Sequence, residues 1–214
     1  MKTPIKVILV DDHAIVRAGF RMLLSTEDSI DVVAEAERGE EAWQLYLKHR
    51  PDVLIMDLSM PGIGGLETIR RICNKDSDAK ILAFSVHDEM VYVNRALDAG
   101  AKGYISKNSA PSSLIEAIQA IAAGNDYIEP VFLKNSIDQI PETDYKAIIE
   151  SLSPREFDVF LLLAKGLTAH KISEDLCLGY KTVANYGTQI RSKLKVSSVA
   201  ELVHIALVSG VIKS

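Results

Sequence analysis

Cysteine is scarce in this chain: Cys73 and Cys177 are the only two, they stand far apart, and each sits in an apolar pattern. That argues against a disulfide framework and leads us to expect buried free thiols in a reducing cytoplasm. Long apolar runs are missing too. The stretch Ile5–Val10 is cut off by Asp11-Asp12 after six residues, far short of the roughly 20 that cross a bilayer. Neither a signal peptide nor a membrane span is expected there. The glycines of Pro61-Gly62-Ile63-Gly64-Gly65 lack a following Gly-Lys-Ser/Thr, which excludes a nucleotide-binding P-loop. Internal repeats and low-complexity tracts are also absent.

What is present is ordinary in bulk and uneven in detail. With 214 residues, 48% hydrophobic and 25% charged, the chain has enough material for one or two domains with full cores. Residues 1–129 carry 14 Lys and Arg against 20 Asp and Glu, residues 130–150 carry 2 against 4, and residues 151–214 carry 8 against 5. An acidic front and a mildly basic back point to two domains with different partners, the back being the one suited to nucleic acid.

Along the front half, short apolar runs alternate with helical patterns. The runs are Ile5–Val10, Asp31–Ala36, Val53–Met56, Lys80–Phe84 and Gly103–Ile105. Between and after them come helical patterns at Ala14–Leu24 (with Ile15, Val16, Phe20, Leu23 and Leu24 apolar), Gly39–His49, Leu66–Cys73, Asp88–Ala99 and Pro111–Ala123. Continuous apolar runs bounded by turns are strands buried on both faces. Five β-α units in this order predict an α/β, flavodoxin-like (βα)5 fold with parallel strand order 2-1-3-4-5. From Asn125 the periodicity weakens into a linker, with a short helix around Val131–Ser136. A second pattern opens at Ser153-Pro154, with Glu156 completing a capping box. Four helices follow, the second capped by Thr168 and the third spanning Lys181–Leu194; two of them, joined by a tight turn at Leu178-Gly179, form a helix-turn-helix. The boundaries read 1–124, 125–149 and 150–214.

In an open parallel sheet, ligands bind beyond the carboxyl ends of the strands. There strand 1 delivers Asp11-Asp12, strand 3 Asp57, strand 4 Ser85 and strand 5 Lys107. Taken singly, Asp11-Asp12 are equally well a helix cap, and Ser85 and Lys107 ordinary loop residues. Taken together they make a site. Three clustered carboxylates repel one another unless a cation is present, and a few carboxylates plus water suit Mg2+. Asp57, kept ionised, can then act as a nucleophile toward a phosphoryl group, whose oxygens a Lys and a hydroxyl can neutralise. A Mg2+-dependent phosphohydrolase on a similar sheet is the alternative, but its aspartyl nucleophile usually lies in a DxD sequence, and Leu58-Ser59 follow Asp57 here.

These segments resemble a known family. The VDDH start, LIMDLSMPGIGGLE, FSV and GYISK make residues 5–124 similar to the receiver domain of bacterial two-component response regulators. LSPRE, the Gly166 turn, KIS, KTV and SKL make residues 150–214 similar to the LuxR-type helix-turn-helix. Together they resemble the NarL/FixJ family, and MPGIGGLE, DLCL and KTV its GacA/UvrY subgroup. The resemblance implies that Asp57 accepts a phosphoryl group from a sensor histidine kinase. It implies Mg2+ held by Asp12 and Asp57, with Asp11 acting through water and the Ser59 carbonyl as a further ligand. It also implies a switch hydroxyl at Ser85, an aromatic switch at Tyr104 and a phosphate-binding Lys107, with Ser59 and His87 tuning phosphate lifetime. The implied protein is a cytoplasmic transcription factor, with no enzymatic activity beyond its own phosphotransfer and dephosphorylation. It dimerises when phosphorylated and binds promoter DNA.

The recognition helix would present Lys181, Thr182, Asn185 and Thr188 to DNA, with Arg191 and Lys193 reaching phosphates. The resemblance implies that Val183, Ile190 and Leu194 face inward. Family members often carry a base where Ala184 and Thr188 stand here, and Gly187 weakens a helix by about 1 kcal/mol relative to Ala. A helical domain devoted to protein contacts is the competing reading.

Overall fold

A computed structural model of the chain describes residues 3–135 and 144–212. These fall into two compact units, an α/β unit ending at Asn135 and a helical unit after it. The α/β unit runs β1 (Ile5–Val10), α1 (Ala14–Leu24), β2 (Ile30–Ala36), α2 (Gly39–His49), β3 (Val53–Asp57), α3 (Gly65–Lys75), β4 (Ile81–Ser85), α4 (Met90–Asp98), β5 (Gly103–Ser106), α5 (Pro111–Ala122), β6 (Tyr127–Ile128) and α6 (Pro130–Asn135). The sheet is parallel, in the order β2-β1-β3-β4-β5-β6.

The alternation of side chains along each strand explains why both faces are apolar. Val7, Leu9, Val53, Ile55, Leu82, Phe84 and Ile105 form one core with Leu24 of α1 and Leu114, Ala117, Ile118 and Ile121 of α5. Their neighbours Ile8, Val10, Leu54, Met56, Ile81, Ala83 and Tyr104 are equally buried; α2 packs beside β1 and β2, α3 beside β3, and Phe132 of α6 meets the Tyr104 ring. Three details depart from expectation. Ile15 is 89% exposed, so the inward stripe of α1 is Phe20, Leu23 and Leu24 without it. Cys73 is half-buried but Cys177 is exposed, its backbone taking a left-handed turn conformation at φ 51°. The sheet has a sixth strand where a linker was expected, Tyr127 and Ile128 pairing with Gly103 and Tyr104. Two residues are too few to show a strand period. The expected short helix is present as α6; Ser136 lies outside the described residues.

The helical unit holds α7 (Asp144–Glu150), α8 (Pro154–Ala164), α9 (Ala169–Asp175), α10 (Tyr180–Leu194) and α11 (Val199–Val208). α7 was not expected; it packs beside α10. The capping box of α8 is formed: the Glu156 N–H donates to Ser153 Oγ at 3.3 Å, and the Ser153 N–H donates to Glu156 Oε2 at 2.8 Å. Among the described residues no helix is long and apolar enough to cross a membrane.

The glycines after Asp57 serve the backbone. Gly62 and Gly64 take positive φ values of 83° and 75°, which L side chains resist. Gly65 allows the start of α3 to press on the end of β3: a Cβ there would lie 2.0 Å from the Asp57 carbonyl oxygen and 2.6 Å from Leu58 Cα. Gly65→Ala is therefore expected to destabilise the α/β unit by about 1–3 kcal/mol. Gly19→Ala, with nothing near its Cβ in exposed α1, is expected to stabilise it by about 1 kcal/mol. Thermal denaturation checks both signs.

Candidate functional site

The strand ends meet as their order requires. Asp57 closes β3 between β1, which leads to Asp11, and β4, which ends in Ser85; Lys107 follows β5. Asp11 and Asp57 are buried, at 0% and 1% exposure. Lys107 reaches between them, its Nζ 2.6 Å from Asp11 Oδ2 and 2.7 Å from Asp57 Oδ2, and lies 5.7 Å from the centroid of the Phe84 ring. Ligand atoms of Asp11, Asp12, His13 and Asp57 all lie within 4.8 Å of one another.

Charge balance dominates this pocket. Three carboxylates face one buried ammonium. Burial pushes the Asp57 carboxyl above the usual carboxylate range and Asp11 adds repulsion, while Lys107 and the Ser59 N–H, donating to Asp57 Oδ1 at 3.1 Å, pull the other way. Burial alone would lower the Lys107 ammonium, but Asp57 and Asp11 hold its pKa above the ordinary lysine value. Among the described residues, the shielded atoms Asp11 Oδ2 and Asp12 Oδ1 accept no hydrogen bond of good geometry, although Lys107 and His13 lie close as ion-pair partners. Oxygen donors left without directed hydrogen bonds and in excess of positive charge fit a hard divalent cation such as Mg2+.

The neighbouring residues differ in part from their expected roles. Asp11 is a direct ion-pair partner of Lys107, and its Oδ1 also accepts from the His13 N–H at 2.8 Å. That bond is an Asx-type turn leading into α1; the cap position itself is His13, and no side chain caps the helix, so Asp11 is not the helix cap that its place in the sequence allowed. Ser59 Oγ lies 2.9 Å from His87 Nε2, joining the loops after β3 and β4. His87 stacks on Tyr92 with centroids 4.0 Å apart, and its N–H donates to Ser85 Oγ at 3.2 Å. Tyr104 is fully buried, its hydroxyl donating to the His87 carbonyl at 2.7 Å. Sequence reasoning missed Arg17, whose Nη1 donates to the Asp11 carbonyl at 2.6 Å and whose Nη2 meets Glu37 Oε1 at 2.6 Å. The available signal was a cation at helical spacing from Phe20 and Leu24, on the inward face of α1 beside an acidic loop.

In the helical unit, Val183, Gly187, Ile190 and Leu194 are the buried side of α10, while Lys181, Thr182, Ala184, Asn185 and Thr188 are exposed and Arg191 is half-buried. Lys193 has a contact within the fold: its Nζ lies 2.7 Å from Oε2 of buried Glu156, so it ties α10 to α8. Burial raises the Glu156 pKa, but Lys193 and Ser153 outweigh it and hold that carboxyl below its ordinary range. Thr188 Oγ1 donates back to the Ala184 carbonyl at 3.1 Å.

The geometry defines a class: an α/β unit with a carboxylate-lysine pocket at its strand ends, joined to a helix-turn-helix. The family model described as the response regulator receiver domain matches residues 7–119, and the one described as bacterial regulatory proteins, luxR family, matches residues 150–206. The chain belongs to the NarL/FixJ-type response regulators, the transcriptional regulators of two-component systems. It is 42% identical over 209 residues to the transcriptional activator protein ExaE of Pseudomonas putida, covering 97% of this chain and 98% of that one. It is 40% identical over 207 residues to the response regulator UvrY of Escherichia coli K12, covering 96% and 95%. Among solved structures it is similar to RcsB of Salmonella enterica serovar Typhimurium bound to promoter rprA with the phosphomimetic BeF3-. That likeness has a TM-score of 0.66 at 27% identity and covers 95% of this chain and 98% of that one.

Removing the lysine tests the electrostatic balance. Lys107→Met leaves two buried carboxylates without their counter-charge and is expected to cost about 3–5 kcal/mol near neutral pH. A carboxyl whose folded pKa is raised binds its proton more tightly folded than unfolded, so this cost grows as pH rises through the folded pKa and shrinks as pH falls. Melting curves across pH should show the gap from wild type narrowing toward acid.

Proposed function

We propose that Asp57 is the phosphoryl acceptor and that its modification controls promoter binding by the helical domain. The observation that carries this reading is the buried Asp57 carboxylate held 2.7 Å from the Lys107 ammonium inside an acidic pocket, in a chain that also carries a helix-turn-helix. In this reading residues 1–124 are the receiver, 125–149 the linker and 150–214 the DNA-binding domain. The phosphoryl donor is a sensor histidine kinase, and the setting is the cytoplasm.

A carboxylate oxygen of Asp57 attacks the phosphorus of the kinase phosphohistidine. The P–N bond breaks, its electron pair stays on the imidazole nitrogen, and an acyl phosphate is left on Asp57. Asp12, Asp57, Asp11 and the Ser59 carbonyl are the groups that would hold Mg2+. When bound, the ion supplies positive charge that lets the carboxylates stay ionised together and offsets charge on the phosphoryl oxygens. Lys107 transfers its attraction from the carboxylate to a phosphoryl oxygen. Ser85, on the adjoining strand end, gives up its contact with the His87 N–H to meet another. Because His87 also receives the Tyr104 hydroxyl, that movement loosens the ring of Tyr104, which serves as the switch. Ser59 and His87, hydrogen-bonded to each other across the loops after β3 and β4, limit water access and so set the lifetime of the phosphoryl group, which the receiver itself hydrolyses.

The modified receiver pairs with a second copy, presenting two helix-turn-helix modules to half-sites about one helical turn apart. Exposed Asn185 reads a base edge in this reading. Lys181, Thr182, Thr188, Arg191 and Lys193 contact phosphate or groove, and Lys193 also holds α10 to α8 through Glu156.

Treatment with acetyl phosphate and Mg2+ should add one phosphoryl group, located at Asp57 by mass spectrometry and absent in Asp57→Asn or after chelation. Labelling that persists in Asp57→Asn would overturn the assignment.

A further inference from the structure

The turn that carries Lys107 is held from a segment outside the matched receiver residues. Ser109 N–H donates to the Ser106 carbonyl at 3.1 Å, closing a turn over residues 106–109. Glu129, just after β6, grips both ends of that turn: Oε2 accepts from the Ser109 hydroxyl at 2.5 Å and from the Ser106 N–H at 3.3 Å. The Glu129 N–H donates to the Tyr104 carbonyl at 3.2 Å. One helical turn on, Phe132 is buried and meets the Tyr104 ring edge to face, with centroids 5.3 Å apart. The opposite side of the same strand end is tied to the loop after β4: the Ser106 hydroxyl donates to Asp88 Oδ1 at 2.7 Å, and the Lys107 N–H to the Ser85 carbonyl at 2.7 Å. Lys107 therefore sits on a short backbone piece clamped from two directions. The family model for the receiver ends at residue 119, so one of the two clamps lies beyond it.

We propose that Glu129 is a positioning residue for phosphoryl transfer to Asp57: by fixing the 106–109 turn it sets where the Lys107 ammonium stands, and it links that position to the chain that leads on to the DNA-binding domain. This rests on Asp57 being the acceptor. A lysine Nζ poised between two carboxylates must hold its place to within a fraction of an ångström to meet a transferring phosphoryl group, and small misplacements are costly in rate. The coupling is reciprocal. A pull on residues 127–135 alters the pocket, and a phosphoryl group that draws on Lys107 alters the hold on Glu129 and Phe132.

The test uses the full chain, with acetyl phosphate as donor, and compares wild type, Glu129→Ala, Glu129→Gln and Ser109→Ala. Labelling rate, half-life of the phosphoryl group and melting temperature are measured for each. Glu129→Ala is expected to slow labelling by about tenfold at a temperature where it is fully folded. Glu129→Gln, which keeps an acceptor oxygen for both donors, should recover most of the rate, separating hydrogen bonding from charge. Ser109→Ala should slow labelling less, in the same direction; it also serves if Glu129→Ala does not fold. Wild-type labelling rate and lifetime in folded Glu129→Ala, or in Ser109→Ala where that stands in, would overturn the proposal. So would a Gln variant as slow as the Ala variant. Wild type that takes no label at Asp57 would instead remove the acceptor assignment, and this proposal with it.

Discussion

The α/β unit is organised around one ion cluster: a buried lysine between two buried aspartates, with a third carboxylate nearby. Burying such charges carries a desolvation cost that mutual attraction offsets only when the geometry is good. That cost explains much of the surrounding construction. β1, β3, β4 and β5 must end level with one another. Gly65 must let α3 press against β3, and Arg17 must hold the Asp11 carbonyl. The cluster is left with more carboxylate than ammonium, a poor choice for stability alone. It makes sense where a divalent cation and a phosphoryl group enter and leave.

Four of the five expected strands announce themselves in the sequence as apolar runs that stop at or just before a side chain of the strand-end pocket. Their order followed because β-α units of this length wind a parallel sheet in few ways. Asp11, Asp12, Asp57, Ser85 and Lys107 were legible for the same reason: each is the first polar residue, or nearly so, beyond a buried strand. Pairings that depend on distance in space were not legible. Lys107 contacting Asp11 as well as Asp57, and Ser59 meeting His87, follow from packing of loops that have no period. Nor was β6 legible, being two residues long, and with it the grip of Glu129 on the Lys107 turn. Ile15 misled because its place in the apolar pattern of α1 says nothing of which way the helix is rotated on the sheet.

In the helical unit the legible part was again periodic. Val183, Ile190 and Leu194 mark the inward side of α10, with Tyr186 and Arg191 at its edges and Lys181, Thr182, Ala184, Asn185 and Thr188 on the exposed side. Gly187 lies on the buried side, where a Cβ would meet Leu163 and Arg191 no closer than 3.7 Å. Packing there does not demand glycine, and its place in the helix has no steric explanation. The Lys193–Glu156 pair was hidden because Glu156 also serves as a capping residue. A capping carboxylate retains lone pairs, and the lysine of a neighbouring helix uses one.

In the proposed switch, charge at a buried aspartate in one domain governs nucleic-acid affinity in the other. The most direct measurement is the affinity of the full chain for a cognate promoter fragment at several salt concentrations, with and without acetyl phosphate, for wild type and Asp57→Asn. Binding should weaken steeply with salt, as counterion release requires. Phosphorylation should tighten binding by about tenfold or more in wild type and leave Asp57→Asn unchanged. Equal affinity before and after stoichiometric phosphorylation of Asp57 would contradict the proposed switch.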